Sequence, residues 1–363
     1  MKTALTLEQL AAKLTEQRNA KRDYLADTRT VTMSKDAKAL VLADKGKMVI
    51  RPFAHRQLAE KLEIPTKFYD RLAANHPDIL ASTVNALFER EPSENMIRTL
   101  DNQVRAVVST KFRALDNYDL AEAALPVLVE QGCTVESCDI TETRLYIKAV
   151  HPTLRRELPV PAGLKMGVGH NIFLRLIMAA ITIRNSEVGD GSLAVEDGVY
   201  ERDCTNLASF IAAFRQHHVG KRHKTELDVI TEIESDTTRK LSDALVWSKL
   251  RDRVVQAFDA QNFEAMCAKL VEARADAIPV ETGIPTLVEL FGAREGLNET
   301  ERKGFLQHLM GGGELTRYGM QWAATRLAQD MDSYERASEL ERVGGRIIEL
   351  PRSDWQSLLK QAA

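Results

Sequence analysis

The apolar residues of this chain change period once, near residue 205, and that change restricts it to an architecture in which a sheet precedes a set of helices. Between about 96 and 203, short runs rich in β-branched residues alternate with Gly, Asn and Asp turn signals. After about 205, apolar residues from Phe210 and Phe214 through Leu241, Leu245, Leu250 and Phe258 recur at helical spacing on a charged background. The fold class expected is therefore α+β: a central, largely antiparallel sheet with helices, then a mostly α-helical C-terminal region.

Three segments follow from the punctuation. Residues 1–90 read as an N-terminal helical region with a small hairpin and a helix-turn-helix-like stretch. Thr6 caps an amphipathic helix expected over 5–26, and Asp44-Lys-Gly-Lys turns two short strands at 39–43 and 48–51. From Ala54 the pattern is helix, turn, helix, with Leu58, Leu62, Ile64, Phe68 and Leu72 as its core. Its second helix would expose Lys67, Asp70 and Arg71, a mixed charge ill suited to phosphate, so a packed hairpin is preferred over a DNA reader.

Residues 91–224 read as the α+β core. Strands turn at Asp101-Asn102, a helix starts near Asp116 or Asn117, and a second strand pair spans 133–150. The apolar run Phe173–Arg184 fits a buried strand or a buried helix, and further strands are expected to turn at Gly189-Asp190-Gly191 and Asp197-Gly198. Residues 225–363 are expected to be helical, with helices near 285–293, 299–309, 315–330 and 333–342, an extended Arg346-Ile-Ile-Glu-Leu, and a last helix around Trp355.

Inside this frame one segment stands out electrostatically. Cys204 to Thr225 holds no acidic residue but carries Arg215, Lys221, Arg222 and Lys224 with His217, His218 and His223. The whole chain has 49 basic and 52 acidic side chains, so its net charge of −3 announces no polyanion partner, and any such partner must be met by a patch. The four Lys and Arg side chains suit phosphates, and the imidazoles suit base stacking or donation to phosphate. The competing reading is a solvated helix end. Arg144, Tyr146 and Lys148 alternate onto one face of an expected strand and form a second, weaker candidate surface. A polar block of Asn185, Ser186, Glu187, Cys204 and Asn206 precedes the basic residues and is read with them as one functional centre.

The ordered elements Arg98-Thr-Leu-Asp, Val108-Ser-Thr-Lys-Phe-Arg-Ala-Leu-Asp-Asn, Asn185-Ser-Glu-Val-Gly, Cys204-Thr-Asn and His218-Val-Gly together resemble a phage/plasmid-like protein family of unknown function. Leu315-Thr-Arg-Tyr-Gly-Met-Gln-Trp and Tyr334-Glu-Arg-Ala-Ser-Glu-Leu-Glu-Arg-Val-Gly-Gly look like the tail of its members, so the likeness runs from about 50 to 350. The resemblance implies a setting on prophages, plasmids and integrative elements, and hence nucleic-acid handling or evasion of host defence. Where many relatives have Cys-Thr-Asn-Gly, this chain has Leu207, which puts in doubt any role for a flexible glycine there.

Other chemistries fare less well. Cys204, His218 and His223 with the Cys133/Cys138 pair hold the right donors for zinc, but not the two compact ligand pairs a structural site normally uses. Cys204 with His217 or His218 and Glu187 or Asp203 offers the residue types of thiolate catalysis, which meet by chance in most chains of this size. Glu187 and Asp190 sit in a turn-like sequence, and Gly167-Val-Gly-His lacks the Gly-Lys-Ser/Thr of a phosphate loop. No catalytic residue, metal or cofactor is assigned, and a non-enzymatic role is expected.

No apolar run reaches the roughly 20 residues of a membrane helix, and the N-terminus lacks the pattern of a signal peptide. The expectation is a cytoplasmic protein with no membrane partner, able to form homo-oligomers. Its expected activity is binding nucleic acid, single-stranded DNA above all, in recombination, replication or plasmid establishment without ATP hydrolysis. The alternatives are an inhibitor that binds a host defence protein and a metal- or thiol-dependent nucleic-acid enzyme.

Overall fold

The computed structural model describes residues 5–161, 175–202, 206–218, 236–279, 281–312 and 314–363, and the α+β order holds across them, strands first and helices after. Helix α1 (Leu7–Ala20) opens on a capping box in which the Thr6 hydroxyl accepts from Gln9 N–H and the Gln9 side chain accepts from Thr6 N–H. The helix expected to reach residue 26 stops at Ala20, because Lys21–Asp27 forms strand β1 against β5 (Glu94–Leu100). A tertiary partner overrides local helical periodicity here.

Strand β1 and strand β2 (Val31–Met33) occupy opposite edges of a six-stranded sheet. Its order is β1-β5-β6-β4-β3-β2, with β3 at Ala39–Leu42, β4 at Gly46–Ile50 and β6 at Gln103–Ser109. Laid flat, these edges would stand about 24 Å apart, five spacings of roughly 4.8 Å. Only the short turn Thr28–Thr30 joins them, and the steps from Asp27 to Val31 reach at most about 14 Å. The sheet must therefore curl until its edges approach. Asp101 and Asn102 turn β5 into β6 with φ of 51° and 58°, a conformation Asn and Asp tolerate through local hydrogen bonds.

Helices α2 (Pro52–Lys61), α3 (Thr66–Asn75) and α4 (Pro77–Arg90) share a core with this sheet through Leu58, Tyr69, Leu80, Val84, Ile97 and Val104. In the helix-turn-helix-like stretch, Leu58 and Leu72 are buried as expected. Tyr69 takes the core position expected of Phe68, which is left 45% exposed.

Helix α5 (Asn117–Glu130) leads into a second sheet, an antiparallel meander of β7 (Thr134–Ile140), β8 (Leu145–Leu158), β9 (Arg175–Asn185), β10 (Leu193–Glu201) and β11 (Asn206–Gln216). The ambiguous run ending at Arg184 is thus a strand, and it shows no alternation because both its faces are covered. One face carries Ile147, Ile181, Ile183 and Val195 against Leu120, Val127, Leu250 and Phe263 of α5, α6 (Asp236–Ala257) and α7 (Ala260–Ala275). The other face is polar, with Tyr146, Lys148, Thr182, Arg184 and Glu196, and α11 (Tyr334–Glu349) lies over it.

Three expectations are corrected. Residues 206–216 are strand rather than helix: a spacing of four puts Phe210 and Phe214 on one face of either element, so periodicity could not separate them. Strand β10 runs through Asp197-Gly198 without turning, shifting register there, and Gly198 is needed because a Cβ would lie 2.7 Å from Ala208 O. Residues 346–349 continue α11 instead of extending.

The weak helix formers Gly344-Gly345, which suggested an end, are instead the contact point. A Cβ on Gly345 would sit 1.9 Å from Ser209 O of β11, and one on Gly344 would sit 2.7 Å from Thr325 Cγ2 of α10 (Arg317–Gln329). Helices α8 (Ile284–Arg294), α9 (Glu299–Gly312) and α12 (Arg352–Ala362) pack with α10 and α11 around Phe291, Phe305, Met320, Leu340 and Trp355. Among the described residues no helix is long and apolar enough to cross a membrane.

Replacing Gly345 by Ala should force α11 off β11. The expected cost is about 3 kcal/mol or more, read from urea unfolding. A variant as stable as the parent would contradict the close approach.

Candidate nucleic-acid interface

Strand β11 ends in a sharp change of environment. Arg215, paired in register with Ala194, and His217 are exposed, and among the described residues Arg215 makes no ion pair. His218 turns inward and is only 4% exposed. Lys221, Arg222, His223, Lys224 and Cys204 lie outside the described residues.

The His218 ring stacks on Phe112, with centroids 5.2 Å apart and an interplanar angle of 11°. Its Nδ1 lies 3.0 Å from Arg113 O, and since a carbonyl only accepts, Nδ1 carries the proton. Arg113 N–H donates back to His218 O at 2.5 Å. Nε2 is buried with no hydrogen-bond partner. Burial lowers the imidazole pKa, against a smaller opposing effect of the bond to Arg113 and with the help of the Arg98 charge. His218 is thus a neutral anchor, not the base-stacking or phosphate-donating imidazole expected of it.

Beneath this anchor runs a buried polar seam between the two sheets. Arg98 of β5, with a fully buried side chain, donates through Nε to Asp23 Oδ1 (3.0 Å), through Nη1 to Glu187 O (2.6 Å) and through Nη2 to Asp116 Oδ1 (2.9 Å). Glu187 accepts from Arg105 Nη2 at 2.5 Å and from Asn117 N–H at 2.6 Å, and its Oε1 lies 3.7 Å from Lys21 Nζ. Lys21 also pairs with Asp116. Burial works to raise the Asp116 pKa, but Arg98 and Lys21 outweigh it and hold the carboxyl below its usual range. Asn185 donates to Leu115 O (2.7 Å) and Asn117 Oδ1 (2.9 Å), and the Ser186 hydroxyl accepts from Asp190 N–H (2.9 Å). The turn at Gly189-Asp190-Gly191 is present, with both glycines at positive φ. Four of the ordered elements quoted above, at 98–101, 108–117, 185–189 and 218, therefore meet in one place.

The polar block does not stay together. Asn206 pairs in register with Glu201 at the far end of β11, whereas Asn185 and Gln216 lie at the near end. Eleven residues of strand separate the two ends, on the order of 30 Å. Asn206 is buried there and accepts from Gln329 Nε2 at 2.6 Å. Residues adjacent in sequence are carried apart by the strand between them.

The second candidate surface is closed. Tyr146 and Lys148 do share one face of β8, with Arg144 just before the strand, but Lys148 is buried and donates to Glu341 Oε2 of α11 at 2.6 Å. Tyr146 is buried against Tyr334, with ring centroids 5.3 Å apart, and Arg144 donates to Asp190 O. Strand alternation indicated the face correctly, while its cover comes from a helix about 190 residues later. Burial also raises the thiol pKa of Cys133 to about 12 and of Cys138 to about 11, so neither is an activated thiolate. Among the described residues no group of three His, Cys, Asp or Glu is placed to hold a metal ion.

Sequence reading passed over Lys21, Arg98, Arg105 and Asp116, which make the seam. The available signal was a lone Arg98 between Ile97 and Leu100 in an apolar strand, a position that burial permits only with a paired acid. No protein-family model, curated protein or solved structure matches this chain.

The anchor has a pH signature. With its folded pKa below that of the unfolded chain, His218 contributes stability that is fully present above about pH 6.5 and lost progressively as pH falls below it towards the folded pKa. Urea unfolding between about pH 7.5 and 5.5 should therefore show a steeper loss for the parent than for His218→Phe, which keeps the stack but cannot titrate. Equal slopes would show that the ring is not buried neutral.

Proposed function

We propose that this protein binds nucleic acid, single-stranded DNA in preference, as a mobile-element protein that assists recombination, replication or plasmid establishment without turnover. The observation that carries this reading is the end of β11. Arg215 and His217 stand exposed there, Arg215 with no ion pair among the described residues, while the next residue, His218, is locked to Arg113. The basic run Lys221-Arg222-His223-Lys224 thus begins three residues beyond a fixed point in a stretch without acids.

Unpaired cations on a fixed edge suit a polyanion, because neutralising phosphates releases condensed counterions. The mobile-element setting comes from the family resemblance alone. Arg215, Lys221, Arg222 and Lys224 are assigned to phosphate contact, with exposed His217 as a further candidate. Arg144, Tyr146 and Lys148, covered by α11, have no part in the proposed contact.

Four phosphate contacts to a single strand should give a slope of about −3 in log K against log salt. Fluorescence anisotropy with labelled oligo-dT should then show affinity falling about fiftyfold from roughly 50 to 200 mM salt. The Arg215/Lys221/Arg222/Lys224 to Ala variant should bind weakly and with little salt dependence. Equal, weak binding by both proteins would overturn the reading.

A further inference from the structure

We propose that the interface continues from the end of β11, across the loop after β6, to helix α2, where Lys111 and Arg56 make further contacts to the phosphate backbone of a single strand. This rests on the nucleic-acid reading above and extends its footprint to Lys111 and to the helix-turn-helix-like stretch, which sequence reading preferred as a packed hairpin.

The link is a chain of ring contacts that fixes the parts relative to one another. Phe112 stacks on His218 and packs with Phe53 of α2 around Ala106, Val108 and Val188. Gly189 lies between the two sides: a Cβ there would be 3.5 Å from Gln57 Nε2 of α2 and 3.7 Å from Phe112 Cε2. Gln57 secures the helix, donating to Val188 O at 2.8 Å and accepting from Val107 N–H at 2.9 Å. Arg56, exposed, lies over the Phe53 ring at 5.5 Å. Lys111, also exposed, directly precedes Phe112.

Charge then selects the occupant. On the C-terminal helices many cations are offset by acids: Lys303 by Glu299, Arg302 by Glu289, and Arg342 and Arg346 by Glu339. Around the Phe53–Phe112–His218 row, Arg98 and Arg113 are likewise committed, to Asp23 and Asp116 and to Asp243. Among the described residues Arg56, Lys111 and Arg215 form no ion pair. One acid meets this row from outside: Glu142 accepts from Phe53 N–H at the start of α2. Uncompensated cations on a rigid frame with half-buried aromatics suit a backbone read without sequence preference.

The test is an Arg56→Ala/Lys111→Ala double variant, assayed on labelled oligo-dT across a salt series. Both side chains are exposed, and an unchanged thermal melt confirms the fold. Losing two single-strand phosphate contacts should lower the salt slope by about 1.4 and weaken binding about tenfold at low salt. Parent-like affinity and slope in the double variant, with the parent binding normally, would overturn this footprint and leave the nucleic-acid reading standing. No salt-dependent binding by the parent would overturn both. Displacement of the oligonucleotide by polyglutamate at matched charge would overturn nucleic acid as the occupant.

Discussion

Arg98 is the residue on which the relation between the two sheets depends. Its guanidinium is fully buried and reaches acceptors on β1, on the turn after β9 and at the cap of α5. A buried charge of this kind is tolerable only with all its partners in place, since breaking such a pair typically costs about 3–5 kcal/mol. Glu187, held by Arg105 and by Asn117 N–H, closes the same network from the other side. Apolar contacts alone would let the two sheets slide. Directional bonds to fixed acceptors allow one arrangement, and in it Phe112 meets His218 and the end of β11 is pinned.

The second sheet repeats this logic on its outer face. Lys148, Arg184 and Glu196 are polar groups on a buried surface, and the sheet could not stand with that surface dry and unpaired. Helix α11 supplies Glu341 and Arg342, and Gly344-Gly345 lets its backbone reach β11 closely enough to do so. The helical region is thus a cover for the sheet as well as a bundle with its own core. With that face covered, the cations proposed to meet nucleic acid lie at the end of β11, in the loop after β6 and on α2.

Local signals were legible where local chemistry decides. The Thr6 cap, the Asp101-Asn102 turn and the Gly189-Asp190-Gly191 turn all follow from residue types at fixed offsets. Legibility failed where a distant partner decides. Lys21–Asp27 is strand because β5 recruits it, Asn206–Gln216 is strand although its apolar spacing also suits a helix, and the glycines of α11 mark contact rather than termination. The same division runs through the site. Alternation placed Tyr146 and Lys148 on one face, but nothing near them in sequence shows that Glu341 covers it. The block from Asn185 to Asn206 looked continuous until a strand carried its two ends apart. Arg215 and His217 were legible in the acid-free segment, while only the ring contacts show that Arg56 and Lys111 adjoin the end of β11.

The claim that unites these observations is that nucleic acid lies along the row defined by Phe53, Phe112 and His218. Photo-cross-linking of the full chain to an oligonucleotide carrying halogenated uracils, with the linked peptides mapped by mass spectrometry, tests it most directly. The account expects cross-links in peptides containing Arg56, Lys111–Arg113 and Arg215–Lys224. Cross-links confined to the C-terminal helices from α8 to α12, or none at low salt, would contradict it.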